Sequence, residues 1–401
     1  MTQRVAALVL LLLPAFAGAA DPSSVDMRAC AALTARVDEL PGKGPTFLRS
    51  YDAASGRGEP SEPALRTAAF TYDNAVATIA LLACDQHDAA LRVGEALRRA
   101  ALAPTRLRNA YRAGAVDDKP LPNGWWDASA SRWMEDRYQD GSATGNIAWA
   151  ALALLALYDS THDMRWSDAA AQLGHEALNL AQDASGDGFF GGVEGFDAAP
   201  VPLRWKSTEH NIDLAAVFDW LDRARQPEEW RAPAVSARHF VAAQWEPEQG
   251  RFWTGTLPDG TTNRNTSALD VQFWPQLLRN APHEWQRAIV YAEREHGVEG
   301  GFDFNADRDG TWLEGTAQAA LVYRVLGREG AAQPLLATIA ANFSAGGFVY
   351  ATREPRISTG LALTAASNSA DFYYFRLPHL AATAWAALAA RKRNPFVAGS
   401  P

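Results

Sequence analysis

Only two cysteines, Cys30 and Cys84, occur among 401 residues, too few for a thiolate metal cluster. Neither reads as a ligand or a nucleophile; in an oxidising compartment the two could pair. Apolar runs of membrane length are missing too. The one at the start, Val5 to Phe16, follows Arg4 and precedes Ala17-Gly18-Ala19-Ala20. About twelve residues are too few to span a bilayer, and the order of charge, apolar core and small residues is that of a secretory signal. Residues 1–20 are therefore expected to be a leader, and the mature chain to be periplasmic or secreted without membrane insertion. No Cys follows the apolar core, which argues against a lipid anchor.

Blocks of positive charge are also scarce. The formal charge is −9, and a chain without long Lys/Arg runs is a poor nucleic-acid binder. No Ser/Gly/Pro-rich linker divides the sequence, so residues 21–401 are expected to form one domain and a monomer. There is no HExxH, no nucleotide loop and no support for a Ser-His-Asp arrangement, so no cofactor is expected. One stretch keeps a weak calcium alternative: Asp303, Asn305, Asp307 and Asp309 alternate oxygen ligands. With Asp303 as first ligand, Glu314 falls at the closing position but Arg308 stands where glycine is required. With Asn305 first, Gly310 is right and Thr316 replaces the closing Glu. Structural Asx turns are the favoured reading.

What the sequence has in abundance is apolar helix. Six segments open with a polar or ionisable cluster and continue as an Ala-rich helix: Thr71-Tyr72-Asp73-Asn74, Thr144-Gly145-Asn146, Ser207 to Asp213, Ala268 to Trp274, Trp312 to Gln318, and Arg376 to Trp385. They recur at intervals of roughly 45 to 75 residues, about one helical hairpin plus a long loop. The pattern predicts an all-α ring of six helical hairpins, an (α/α)6 barrel. The inner helix starts should converge on a polar funnel, and long loops should lie over it, with short β-hairpins at residues 189–192 and 250–256. Helices are expected at 25–40, 75–84, 89–102, 147–158, 166–181, 214–225, 232–244, 271–279, 285–296, 317–326, 331–343 and 380–392. Gly114 and Gly327 read as helix stops.

The funnel would gather Asp73, Asn146, Glu209, His210, Asp270, Gln272, Glu314 and His379. Carboxylates at helix starts can be mere caps, but Thr208-Glu209-His210-Asn211-Ile212-Asp213 holds more polar groups than a cap needs. Two carboxyls across a cleft are what glycoside hydrolysis needs, one protonated to release the leaving oxygen and one ionised to activate water. Trp is heavily used, 14 in all. Trp125, Trp126, Trp253 and Trp312, near or in loops, are candidates to stack on sugar rings.

These segments, with Ala382-Thr383-Ala384-Trp385 and Asn394-Pro395-Phe396, resemble the (α/α)6-toroid carbohydrate-active enzymes, and within them an exported bacterial group resembling glycoside hydrolases. The resemblance covers nearly the whole mature chain. It implies inverting hydrolysis of a polysaccharide or oligosaccharide, with the acidic charge balance favouring a neutral glucan. Glu209 is expected as general acid and Asp270 as general base, with Asp73 and Glu314 in reserve; His210, Asn146, Gln272 and His379 would bind substrate with the four tryptophans. The alternatives are a lyase or a sugar epimerase, or a glycan-binding factor in envelope polysaccharide export. The chain departs from the epimerase pattern, which needs two working histidines, since only His210 and His379 stand at suitable starts.

Overall fold

The computed structural model describes residues 22–52, 60–225, 228–362, 369 and 372–399; the expected leader lies outside the described residues. Six inner helices are α2 (Thr71–Ala83), α4 (Thr144–Thr161), α6 (Thr208–Arg225), α8 (Asp270–Phe273), α10 (Leu313–Val325) and α12 (Leu380–Arg391). Their outer partners are α1 (Pro22–Asp38), α3 (His87–Ala101), α5 (Met164–Ala181), α7 (Arg231–Ala243), α9 (Arg287–Glu295) and α11 (Glu329–Ala341). Each inner helix touches the next around the circle, α12 returns to α2, and α1 packs on α12. This is the expected (α/α)6 toroid.

Burial explains the division of labour. In α4 every residue from Ile147 to Leu157 is buried, as a helix that is apolar all round must be. In α3 the buried positions Ala89, Ala90, Val93, Ala96, Leu97 and Ala100 form one stripe, the signature of a helix with one wet face. The ring axis is plugged by Trp149, Trp274, Trp385 and Phe396, with centroids 5.2–5.6 Å apart in mostly edge-on or tilted packing. Asn394 donates to the Leu277 carbonyl at 2.8 Å, which fixes the turn that sends Phe396 into the plug.

Four sequence expectations need correction. The helix expected over 271–279 ends at Phe273 and continues as a 3₁₀ turn, Trp274–Leu277, because Pro275 has no N–H to donate and crowds the preceding turn. The helix expected to begin at Trp285 is a 3₁₀ turn, His283–Gln286, before Arg287. Gly114, with φ +116°, turns between the strands 110–112 and 114–115 rather than ending a helix. Gly327, with φ +74°, does follow the end of α10. The segment 250–256 contributes to two separate pairs, 245–246 with 251–252 and 206–207 with 255–256. Among the described residues no helix is long and apolar enough to cross a membrane.

Cys30 and Cys84 form a disulfide that ties α1 to the end of α2 across 54 residues. A loop of that length implies about 4 kcal/mol of lost freedom in the unfolded chain. The double substitution Cys30→Ser with Cys84→Ser is expected to cost about 2–4 kcal/mol, read as a lower denaturant midpoint with a slope no smaller than before, because the unfolded chain expands.

Candidate active site

The six helix starts are built to one plan. The first N–H of each inner segment donates to a carbonyl in the loop that leads onward to the next: Thr71 to Asn109, Thr144 to Gly191, Thr208 to Thr254, Leu269 to Phe304, Leu313 to Ala351, and Leu380 back to Ser50, at 2.8–3.1 Å. A second stitch ties each start to the loop before it. Three residues after the first donor, a side chain accepts a backbone N–H from that loop: Asn74 from Leu48, Asn211 from Phe189, Gln272 from Phe252, Thr316 from Phe302 and Thr383 from Val349, at 2.8–3.1 Å. Only the second hairpin, with Ile147 there, lacks it. Buried backbone donors must find partners, and these bonds satisfy them where no side-chain cap does. Much of the polarity at the helix starts is therefore structural.

The residue just after each first donor faces a different fate. Around the circle these are Tyr72, Gly145, Glu209, Asp270, Glu314 and Ala381. Glu209, Asp270 and Glu314 thus hold equivalent positions on three consecutive inner segments. Asp270 and Glu314 are 4 % and 1 % exposed, and Glu209 is half-buried. Burial, then Asp270 and Glu314, hold the Glu209 carboxyl well above the usual range. Burial pushes Asp270 up to about 7 against a backbone hydrogen bond from Val271. Asp213, one turn beyond Glu209, is fully buried with both oxygens unpaired; burial, Glu209 and Asp270 raise it strongly.

Glu314 is held from three sides. Its Oε1 accepts from the Tyr72 hydroxyl at 2.5 Å and from Gln318 Nε2 at 3.3 Å, and its Oε2 lies 3.5 Å from His379 Nδ1. Burial raises its pKa to about 7 despite the lowering effects of His379 and the Tyr72 hydroxyl. The other edge of the His379 ring lies 3.3 Å from Asp73. Burial alone would lower the His379 pKa, but Asp73 and Glu314 reverse this and the net shift is upward. Tyr51 stacks on His379 with centroids 5.0 Å apart. Tyr72 in turn accepts from Trp385 Nε1 at 2.7 Å, so the carboxylate layer sits directly on the aromatic plug.

The structure thus brings Asp73, Glu209, Asp270, Glu314 and His379 together. It gives three other expected ligand-binding residues structural work instead. Asn146 accepts from Tyr72 N and donates to Asn109, at 3.0 and 3.1 Å. Gln272 is spent on the backbone of Phe252 and Ala268. Trp312, 2 % exposed, is wedged between Phe304 and Tyr374, 5.0 and 5.6 Å away, so it offers no face to a sugar. Trp253 carries the Arg251 guanidinium at 3.5 Å, which occupies its face. His210 packs against Gly145, where an added Cβ would lie 2.6 Å from its ring. Burial lowers its pKa to about 4, which leaves a neutral ring with an unpaired Nδ1. Trp125 and Trp126 lie on the loop face in the pair 125–127 with 132–134; Trp126 is exposed.

Sequence reasoning missed Tyr72 and Asp213. Asp213 carried a signal, since its spacing of four from Glu209 puts both on one helix face. Tyr72 carried one as well, because it shares the position of Glu209, Asp270 and Glu314 once the starts are aligned.

No protein-family model and no curated protein matches the chain. Solved structures do match, and they share the (α/α)6 toroid fold. A sugar epimerase from a ruminal bacterium superposes with TM-score 0.62 at 11% identity, over 92% of this chain and 98% of that one. The cellobiose 2-epimerase of Bacillus thermoamylovorans gives 0.61 at 11% identity, over 91% and 98%. A glycosidase gives 0.60 at 13% identity, over 92% and 97%, and a variant of a glycosidase in complex with glucose gives 0.59 at 14% over the same shares.

Proposed function

We propose that the chain is an exported glycoside hydrolase that cleaves a neutral glucan with inversion. Glu209 donates the proton to the leaving oxygen and Asp270 activates water. The observation that carries this reading is the set of three carboxyls at equivalent positions on consecutive inner helix starts, with the protonated form of Glu209 favoured by burial and then by Asp270 and Glu314. A pair of carboxyls with separated protonation states is the requirement for the reaction. His379 is the one basic side chain in contact with the cluster among the described residues, so an anionic sugar would meet like charge. Trp125 and Trp126 are the remaining candidates for sugar stacking.

A second reading is a sugar epimerase. What favours it is His379, set between Asp73 and Glu314 as a proton-carrying imidazole would be. One experiment separates the two. The purified mature protein is incubated with neutral and acidic glycans while reducing ends, ultraviolet absorbance and sugar identity are followed together. New reducing ends without absorbance on a neutral glucan are expected. An ultraviolet-absorbing product would replace the reading with a lyase, an epimer of unchanged chain length with an epimerase, and silence across the panel with a glycan-binding protein.

A further inference from the structure

A second acidic group, away from the carboxylate ring, is left without a role by the proposed reaction. Asp303, Asp307 and Asp309 bring one carboxylate oxygen each within 4.8 Å of the others. Oxygens on opposite sides of one calcium ion are about 5 Å apart. Asp303 is fully buried. Its Oδ1 accepts from Phe304 N at 2.7 Å, but its Oδ2 is buried with no donor at all. A buried carboxylate oxygen facing other carboxylates is costly unless a cation answers it.

The loop has the shape such a cation needs. Asn305 Oδ1 accepts from Asp307 N at 2.7 Å and Asp307 Oδ1 from Asp309 N at 3.1 Å, which curls the acidic side chains to one side. Between them Arg308 takes φ +55°, the left-handed conformation supplied by glycine at the sixth position of an EF-hand loop. The non-glycine residue that seemed to disqualify the register adopts the required backbone. Glu314, the twelfth residue counted from Asp303, does not close the loop, because its Oε1 is committed to Tyr72 in the funnel.

We propose that Asp303, Asp307 and Asp309 bind a calcium ion, with water completing the coordination. An all-oxygen donor set selects a hard cation over zinc or copper, and irregular loop ligands suit calcium better than the octahedral demand of magnesium. Other charges nearby do not cancel the group: Arg356 acts on Asp309, but Glu354 acts on it with opposite effect.

The ion would brace the candidate active site. Phe304 O accepts from Leu269 N at 2.9 Å, immediately before Asp270, and Phe302 O accepts from Trp312 N at 2.8 Å, two residues before Glu314. Asp309 Oδ2 accepts from Ser358 N at 2.9 Å, on the strand 356–358 whose partner strand carries Tyr374. One loop therefore links the supports of two of the three ring carboxyls.

The test needs no substrate, so its failure leaves the hydrolase reading untouched. Calcium is titrated calorimetrically into chelator-stripped full-length protein, and Tm is measured with calcium and with chelator at pH 7.5. One site per chain is expected, with Tm higher by about 4 °C at a hundredfold excess over Kd. The double substitution Asp307→Asn with Asp309→Asn, at two exposed positions, should keep the fold and lose both effects. Equal Tm with no binding heat in the unaltered protein would overturn the proposal, as would undiminished binding in the double variant.

Discussion

Glu209→Gln is expected to lower kcat on an unactivated glycan by roughly a thousandfold, the scale of a lost general acid. The amide keeps the shape of the carboxyl but cannot release a proton. The same variant should recover much of its rate on an aryl glycoside whose leaving group needs no protonation. Asp270→Asn should be as slow on both substrates, because water activation is needed whatever departs. The pH profile has a definite sign. Activity needs Asp270 ionised and Glu209 protonated, so it should rise through about pH 7, where Asp270 titrates, while burial and the carboxyls of Asp270 and Glu314 favour the protonated form of Glu209. Steady-state rates of the two variants on both substrate types decide the matter. Full activity in both would remove these residues from the reaction.

The second large effect concerns stability. Between pH 6.5 and 8.5, Tm is expected to fall. Asp270 and Glu314 are raised to about 7 and Glu176 to about 7, with Glu209 and Asp213 higher than the ordinary range. Unfolded carboxyls titrate near 4, so in this window the folded chain holds protons that the unfolded chain has released. Stability carried by a raised group is complete below its unfolded pKa and disappears as pH rises through its folded one. Each group contributes a slope of up to about 1.4 kcal/mol per pH unit between its unfolded and folded pKa, fading as the folded group releases its proton. His210 and His296, both lowered to about 4, act in the opposite direction. Their effect is confined to about pH 4 to 6.5, because above that they are neutral in both states. Asp213→Asn should flatten the fall and raise Tm at pH 8, since it removes a buried carboxyl that faces the like charges of Glu209 and Asp270. Calorimetric scans of both proteins across this window test it; a Tm that stays level or climbs would show that the cluster does not hold its protons.

The ring of hairpins was legible because its inner helices are apolar on every face and each opens with a polar cluster. What the clusters do was only half legible. Asn74, Asn211, Gln272, Thr316 and Thr383 stitch loops to helices, while Glu209, Asp270 and Glu314, two residues before three of them, gather in the carboxyl cluster. Both classes look alike in composition, and only their phase relative to the first stitched N–H separates them. Trp312 shows the same limit from the other side. A tryptophan beside a loop reads as a sugar platform, yet the strand that brings Tyr374 over it lies some sixty residues along the chain. Pro275 was visible, yet the helix expected over 271–279 ran through it, and its missing N–H accounts for the short fourth inner helix only in retrospect. The left-handed turn at Arg308 was not visible, because nothing in an arginine announces that conformation.

One hairpin differs from the other five in a way that matters for synthesis. Its outer helix, α1, is the first helix described, and its inner helix, α12, is the last. As the chain emerges, α1 touches α2 and α3 early, but its inner partner α12 does not exist until more than three hundred residues have followed it. Five hairpins can assemble in order as an open arc, with the Trp149 and Trp274 rings facing an unfinished centre. Closure then waits for Trp385 and Phe396 to arrive. The Cys30–Cys84 bond lets the early helix wait in place against α2 instead of drifting free. The seam of the circle is thereby held ready before the chain that seals it exists.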